Sequence, residues 1–456
     1  MMRPVAFLLF LLTGLFPVTA LSLESPPQQM TLGGAVRLAL EKNPGLRQAA
    51  NQIDSGQLSV SQRRADFSPD LGVTLAGAKR YDKAVEADGG RDGRNYETAS
   101  GAVGSNLNLF NGFGDVAALR GAEWELAGIR DSYTREEQTL LFSTTRDFLQ
   151  ALGARELIGV RAGNLEGNRR QLEQVEALHR AGNRPVSDLY QQQAETAAAE
   201  LDLITAERSY AIALRQLLQT IGLSPVGGVG LQAPELDPLE AALIAREQGP
   251  PDLAALSRRA DLQATERQIQ AAGEQIDVAR AGYWPTLNLA ANLTSDYSSL
   301  FRSEGFSGQF YDDNVGTAIG LTLAVPIFDR QQTRHQVAQA RIREDNARLD
   351  LYRRQLQAEA ELSQAIDDFR TAQQLIGVTE ARLTAARQAL AAMEERYRVG
   401  AATLVELTQA RTAFTEAGYE RVKARYGLII QGVAVAYYQG DEGRLRELLA
   451  RWEAAQ

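Results

Sequence analysis

Apolar side chains occupy the odd-numbered positions along Thr286-Leu-Asn-Leu-Ala-Ala-Asn-Leu-Thr294, and small or polar ones most even positions. Val315-Gly-Thr-Ala-Ile-Gly-Leu-Thr-Leu-Ala-Val325 carries the same alternation. Leu71, Val73 and Leu75, then Val103, Leu107 and Leu109, carry it more weakly. A period of two marks a strand with one apolar face, so strands are expected at about 71–81, 97–109, 286–297 and 315–325. The stretches 82–95 and 298–314 are rich in Gly, Asp and Ser and read as loops. Beyond each strand pair the period lengthens. Ile158, Leu165, Leu172 and His179 recur every seven residues, as do Ile376, Leu383, Leu390 and Tyr397, which is the seam of a left-handed coiled coil. No proline interrupts the chain between Pro69 and Pro185, or after Pro326. Helices of roughly 100 Å, at ~1.5 Å per residue, are permitted there, and they are expected at about 112–181 and 330–398. They stop at Gly182 and Gly400, in His179-Arg-Ala-Gly182 and Tyr397-Arg-Val-Gly400, and return helices follow at about 186–221 and 403–438. A helix that ends at glycine and restarts within a few residues is a helical hairpin.

The two sets of elements are copies. Shifted by 216, Leu46, Gln52, Arg64, Pro69 and Leu71 fall on Leu262, Gln268, Arg280, Pro285 and Leu287. Shifted by 218, the register holds from Leu107 to Gly222 and pairs Arg135 with Arg353, Gly182 with Gly400 and Gly222 with Gly440. A repeat this long means an array of equivalent parts. The expected division is a first repeat at 21–222, a linker at 223–251, a second repeat at 252–440 and a tail at 441–456.

Aromatic residues indicate the medium that the apolar face meets. Phe67, Phe110, Tyr283, Trp284 and Phe328 stand at the helix-proximal strand ends, and Tyr81, Tyr96, Tyr297 and Tyr311 at the loop-proximal ends. Tyr81 lies 14 residues after Phe67, Tyr96 lies 14 before Phe110, and Tyr297 lies 14 after Tyr283. Fourteen residues at ~3.3 Å, tilted by ~40°, cover roughly 35 Å, which suits two girdles flanking an outer-membrane apolar band of ~25 Å. A soluble sandwich explains the alternation equally well, but not the matched spacing. Four strands do not close a barrel, and lipid does not tolerate an open edge. Closure is therefore expected from other copies of the chain.

Composition removes other classes. A net charge of −9 over 456 residues gives no reason to expect nucleic acid as a partner. There is no cysteine, and the only histidines are His179 and His335. No thiol chemistry, metal cluster, Ser-His-Asp arrangement or cofactor is expected, which disfavours an envelope enzyme. His179 holds the heptad position of Tyr397 and reads as a packed tip residue, while His335, among Arg334, Arg341 and Arg343, reads as structural. Met1 to Ala20 reads as a secretory signal peptide, with Arg3, an apolar run from Val5 to Phe16 and a small-residue site at Val18-Thr19-Ala20. That run is shorter than the ~20 residues of a spanning helix. No later run is long enough either, so a membrane-seated form of this chain must be a barrel.

Four segments carry a family resemblance: Thr31-Leu-Gly-Gly-Ala-Val-Arg-Leu-Ala-Leu-Glu-Lys-Asn-Pro44, Leu107-Asn-Leu-Phe-Asn-Gly112, Val325-Pro-Ile-Phe-Asp329 and Tyr397-Arg-Val-Gly400. They resemble the outer membrane efflux protein family, the TolC-like channels, over about residues 30–440. The resemblance implies a mainly α protein with a transmembrane β-barrel, built from two repeats, each with two β-strands and long coiled-coil helices. It implies a homotrimer with one twelve-stranded barrel, continued by a periplasmic α-helical tunnel. Such a protein sits in the outer membrane lipid and extends into the periplasm. It is a passive exit duct for tripartite efflux or type I secretion, partnered by a periplasmic adaptor and an inner-membrane RND, ABC or MFS transporter. A structural coiled-coil envelope protein is the alternative, disfavoured by the four alternating strands.

The family's closing network at the tip carries over residue by residue. Its tyrosine matches Tyr397 and its first-copy aspartate matches Asp188. Ala402 stands where an arginine is expected, and Glu406 and Gln409 stand where two carboxylates are expected. Arg184, the first-copy equivalent of Ala402, is then the candidate cation. The alternative for Arg184, Asp188 and Glu406 is solvated charge beside a helix start, where an acid also favours the helix dipole.

Overall fold

A computed structural model describes residues 29–85, 91–224, 229–233, 235–244, 253–301, 305–441 and 443. The expected leader at 1–20 and nearly all of the expected tail lie outside the described residues. Strand β1 (Gln29–Met30) leads to α1 (Leu32–Lys42), α2 (Pro44–Ala65), β2 (Gly72–Val85), β3 (Arg91–Phe110), α3 (Gly114–Arg180) and α4 (Val186–Ile221). Then come β4 (Gly230–Leu231), α5 (Asp237–Ile244), a short 3-10 helix (Leu253–Arg258) and α6 (Ala260–Ala281). They are followed by β5 (Thr286–Ser298), α7 (Phe306–Gly308), β6 (Gly316–Ala324), α8 (Gln332–Arg398) and α9 (Leu404–Tyr438).

Local chemistry sets the boundaries. Thr31 caps α1 by accepting from the Gly34 amide, and Asn43 caps α2 by accepting from the Leu46 amide at 2.9 Å, with Pro44 next. Both choices satisfy amides that a helix start leaves free. α3 and α8 each run 67 residues unbroken, about 100 Å at ~1.5 Å per residue. Each is entered through two successive left-handed residues, Gly112 and Phe113 in one copy, Arg330 and Gln331 in the other. The non-glycine members are strained there. Asp329 braces the second junction, its carboxylate accepting from the Thr333 amide at 2.8 Å.

One antiparallel sheet has the order β2-β3-β5-β6, so β3 and β5 join the two copies and β2 and β6 form the edges. β2 and β3 extend further than the side-chain alternation indicates, with backbone pairing continuing from Asp82↔Arg94 to Val85↔Arg91. Ladder bonds hold that outer end, and they leave no hydrophobic period to read. Beneath the sheet, α3 is flanked by α2 and α6, and α8 packs on α6. Further down α3 is flanked by α4 and α9, and α8 packs on α9. The main core lies at mid-height, where Phe148, Leu152, Leu217, Ile221, Leu362, Phe369 and Leu428 are buried. The Arg259 guanidinium, buried beside it, bonds Asp261 at 2.8 Å and Glu361 at 3.1 Å and so ties α6 to α8. Among the described residues no helix is long and apolar enough to cross a membrane.

Candidate functional site at the sheet faces and hairpin ends

The sheet register sorts the side chains into two kinds of face. Leu107, Leu289 and Leu321 stand in one row, and Val103 and Leu293 are paired in another. Gly104, Asn292 and Ala318 share a row on the opposite face, as do Asn108, Asn288 and Thr322. Leu75 on β2 and, at alternate positions along β6, Ile319, Leu321 and Leu323 are between 62% and 77% exposed in the single chain, and the three on β6 make an apolar stripe that water does not favour. A register shift between Asn108 and Phe110 brings Phe110 opposite Leu287, onto the apolar face. Such a bulge re-aims one side chain at the end of a strand. Phe67, Tyr283, Trp284 and Phe328 are exposed near the same end, and Tyr81 at the far end. Tyr96 differs from its expected companions: it pairs with Arg80 and so lies on the polar face, opposite Tyr81 and Tyr297. Tyr311 is not at a strand end but in a helical turn before β6.

The hairpin ends are built alike. Gly182 and Gly400 have φ of 76° and 78°, and added methyl groups would meet nothing within 4 Å. Glycine is therefore selected there by backbone conformation alone. In each turn the glycine amide donates three residues back, to His179 and Tyr397, and the next amide donates to Leu178 or Arg396 at 2.8 Å. Three of the four gate candidates come together. Arg184 lies 3.6 Å from Asp188, and its guanidinium stacks 4.7 Å from the centre of the Tyr397 ring on the other hairpin. Tyr397 is 4% exposed, within a small tip core of Val175, Ala402, Leu404 and Leu407. Burial raises the Tyr397 phenol above its ordinary pKa, with Arg184 opposing the shift and Asp188 adding to it. The phenol oxygen and the Gln171 amide nitrogen are both buried, and the Gln171 side chain opposes the upward shift as Arg184 does. Both residues line a cleft of about 340 Å³ with Arg170, Arg398 and Arg411.

Glu406 stands apart from that group. It forms a capping box with Thr403: its carboxylate accepts from the Thr403 amide at 2.7 Å, and the Glu406 amide donates to the Thr403 hydroxyl at 3.2 Å. The bond from the Thr403 amide first, then one from the Thr403 hydroxyl at 2.9 Å, hold its carboxyl below the usual range. The Thr-x-x-Glu spacing at 403–406 is a readable helix-start signal. His179 donates from Nδ1 to the Arg184 carbonyl at 2.9 Å, bracing the first turn. Among the described residues no group of His, Cys, Asp and Glu is placed to hold a metal ion.

A polar seam joins the hairpins above the tip. Thr415 on α9 donates to Asn164 on α3 at 3.1 Å, and Arg411 donates to the Gly167 carbonyl at 3.1 Å. Within the first hairpin the buried Gln192 donates to Asn168 at 3.1 Å. Higher up, the Tyr426 ring packs on Gly153. No sequence signal singled out this seam, because Asn, Gln and Thr on long helices read as solvated positions.

The comparisons agree with this architecture. The model of the family described as outer membrane efflux protein matches residues 35–223 and 254–440. The Outer membrane protein TolC of Escherichia coli (strain K12) is 28% identical over 400 residues, covering 85% of this chain and 78% of that protein. The Pyoverdine export outer membrane protein OpmQ of Pseudomonas aeruginosa is 27% identical, covering 93% of this chain and 86% of that protein. Among solved structures, CusC superposes with a TM-score of 0.77 at 16% identity, over 90% of this chain and 92% of the other. The outer membrane protein VceC from Vibrio cholerae superposes with a TM-score of 0.73 at 20% identity, over 90% and 96%. Those two likenesses speak to fold alone. The match of the family model across both repeats, on the fold just described, makes this chain a member of the outer membrane efflux protein family.

Proposed function

We propose that the chain is the outer-membrane exit duct of a tripartite efflux or type I secretion assembly, working as a homotrimer. The supporting observation is that the sheet and both helical layers end in unmatched edges on the same two flanks. β6 and α8 form one flank; β2, α2 and α4 form the other. α8 exposes Ile342, Leu349 and Leu356 at sevenfold spacing, while α2 exposes Leu58 and α4 exposes Leu201 and Ile204. Each flank offers what the other lacks, a strand edge for a strand edge and an apolar stripe for an apolar stripe. Such head-to-tail interfaces close into a ring when the rotation allows it. Three copies supply twelve strands, enough for a closed barrel.

In that ring the leucine-rich face meets lipid, and the face bearing Asn288 and Asn292 lines an aqueous lumen. The tip, with Arg184, Asp188 and Tyr397, forms the periplasmic gate, and Glu406 supports its second hairpin as a helix cap. A periplasmic adaptor opens it for an inner-membrane RND, ABC or MFS transporter, which supplies the energy. The purified protein should migrate as a trimer that heating converts to monomer, and should conduct ions in planar bilayers. A monomer without conductance would favour a purely structural envelope role.

A further inference from the structure

The described parts of the connection from β5 to β6, 299–301 and 305–315, are built rather than irregular. α7 runs into one turn of π-helix, Gln309–Asp313. Gln309, only 4% exposed, donates to the Phe301 carbonyl at 2.8 Å and accepts from the Ser298 amide at 3.0 Å. Ser295 donates to the Phe310 carbonyl at 2.5 Å, and Asn314 donates to the Asp296 carbonyl at 2.7 Å. These bonds fold the segment back on the outer end of the sheet. One glycine shows which side it takes. The Phe310 ring lies so close over Gly101 that an added Cβ would sit 2.8 Å from its Cζ and 3.3 Å from the Leu75 side chain. Gly101 pairs with Leu75 and with Ser295, in the odd-numbered series of the apolar face.

From that seat a run of rings continues outward. Ring centres are 5.0 Å apart for Tyr297 and Phe306, 5.0 Å for Phe306 and Phe310, and 5.5 Å for Phe310 and Tyr311. Leu300, Phe301, Phe306 and Tyr311 remain exposed. A segment made for water would not press its rings on the apolar side and leave four large side chains uncovered. Amphipathic rings at the end of an apolar band are stable in the headgroup layer of a bilayer, where ring bodies meet acyl chains and polar tips meet water.

We propose that Leu300, Phe301 and the 305–313 turn form a lipid-binding cap, which lies on the outer wall of the barrel and anchors it in the headgroup layer. This rests on the reading of the leucine-rich face as the lipid-facing wall. The chain has no cysteine, so a single introduced one carries a nitroxide label without background. Full-length Phe306→Cys and Tyr311→Cys, labelled and reconstituted in phosphatidylethanolamine–phosphatidylglycerol vesicles, are compared for relaxation by oxygen and by a water-soluble nickel chelate. Leu289→Cys calibrates the lipid side and Asn292→Cys the lumen. The oxygen-to-nickel ratio of both cap labels should exceed that of Asn292→Cys severalfold. Cap labels as nickel-accessible as Asn292→Cys, with Leu289→Cys still lipid-like, would overturn the cap alone. An aqueous reading at Leu289→Cys would overturn the wall assignment beneath it.

Discussion

Arg184 reaches across two hairpins, and that makes it the residue on which the tip depends. It holds Asp188 at 3.6 Å on its own segment and covers the Tyr397 ring of the other hairpin at 4.7 Å. Its side chain is 23% exposed and that of Asp188 is 20%, so the pair is only partly screened by solvent. At 3.6 Å it is an ion pair rather than a hydrogen bond, and a partly exposed pair of this kind contributes about 1 kcal/mol or less, weak enough for a docking partner to undo. Tyr397 adds something different. Its buried hydroxyl has the Gln171 side chain as polar neighbour but no well-formed hydrogen bond, so Tyr397→Phe should change the protomer's stability by about 1 kcal/mol or less. If the hydroxyl bonds a neighbouring copy in the closed ring, the double variant Arg184→Ala, Tyr397→Phe should raise single-channel conductance without lowering trimer yield. Unchanged conductance would make these solvated tip residues and move the gate elsewhere. Tyr397 and Asp188 were legible from the motif around Gly400 and its first-copy counterpart. The capping role of Glu406 was equally legible from Thr-x-x-Glu, but the family pattern drew attention to its charge rather than its spacing.

Among the elements, the strands make the sharpest claim. Leu289 and Leu321 face each other across β5 and β6, whereas Asn292 lies between Gly104 and Ala318 on the opposite side. Arginine at Leu289 or Leu321 should cost about 2–4 kcal/mol at mid-membrane and block assembly of heat-modifiable trimer. Arginine at Asn292 should assemble normally, and equal damage at all three positions would refute the face assignment. That assignment was legible because a period of two survives wherever one face is apolar. The long helices were legible for the complementary reason, since proline is absent and leucine recurs by sevens. What escaped reading has physical causes as well. The bulge at Phe110 is an extra residue in one strand, visible only against its partner. Tyr96 satisfied the spacing rule but has the wrong parity for the lipid face. The turn before β6 looked like a Gly- and Ser-rich loop, although Phe301, Phe306, Phe310 and Tyr311 crowd into it.

At the level of the whole molecule, duplication means that a ring of three chains presents six near-equivalent hairpins, each with its own glycine turn. A net charge of −9 per chain favours cations in a water-filled path, because a cleft of one sign concentrates counter-ions. Reversal potentials in a salt gradient should therefore show cation preference, and a preference for anions would rule this out. The matched lengths of the helices carry a different consequence. α3 and α8 have 67 residues each, and their return helices α4 and α9 have 36 and 35. The space beneath an outer membrane is set by the cell, so these four helices serve as a ruler. Lengthening one rail alone would carry its hairpin end past its neighbour by ~1.5 Å per residue and pull Arg184 away from the Tyr397 ring. Length can change only in step across all four, and in whole heptads that keep the seams in phase, about 10 Å at a time.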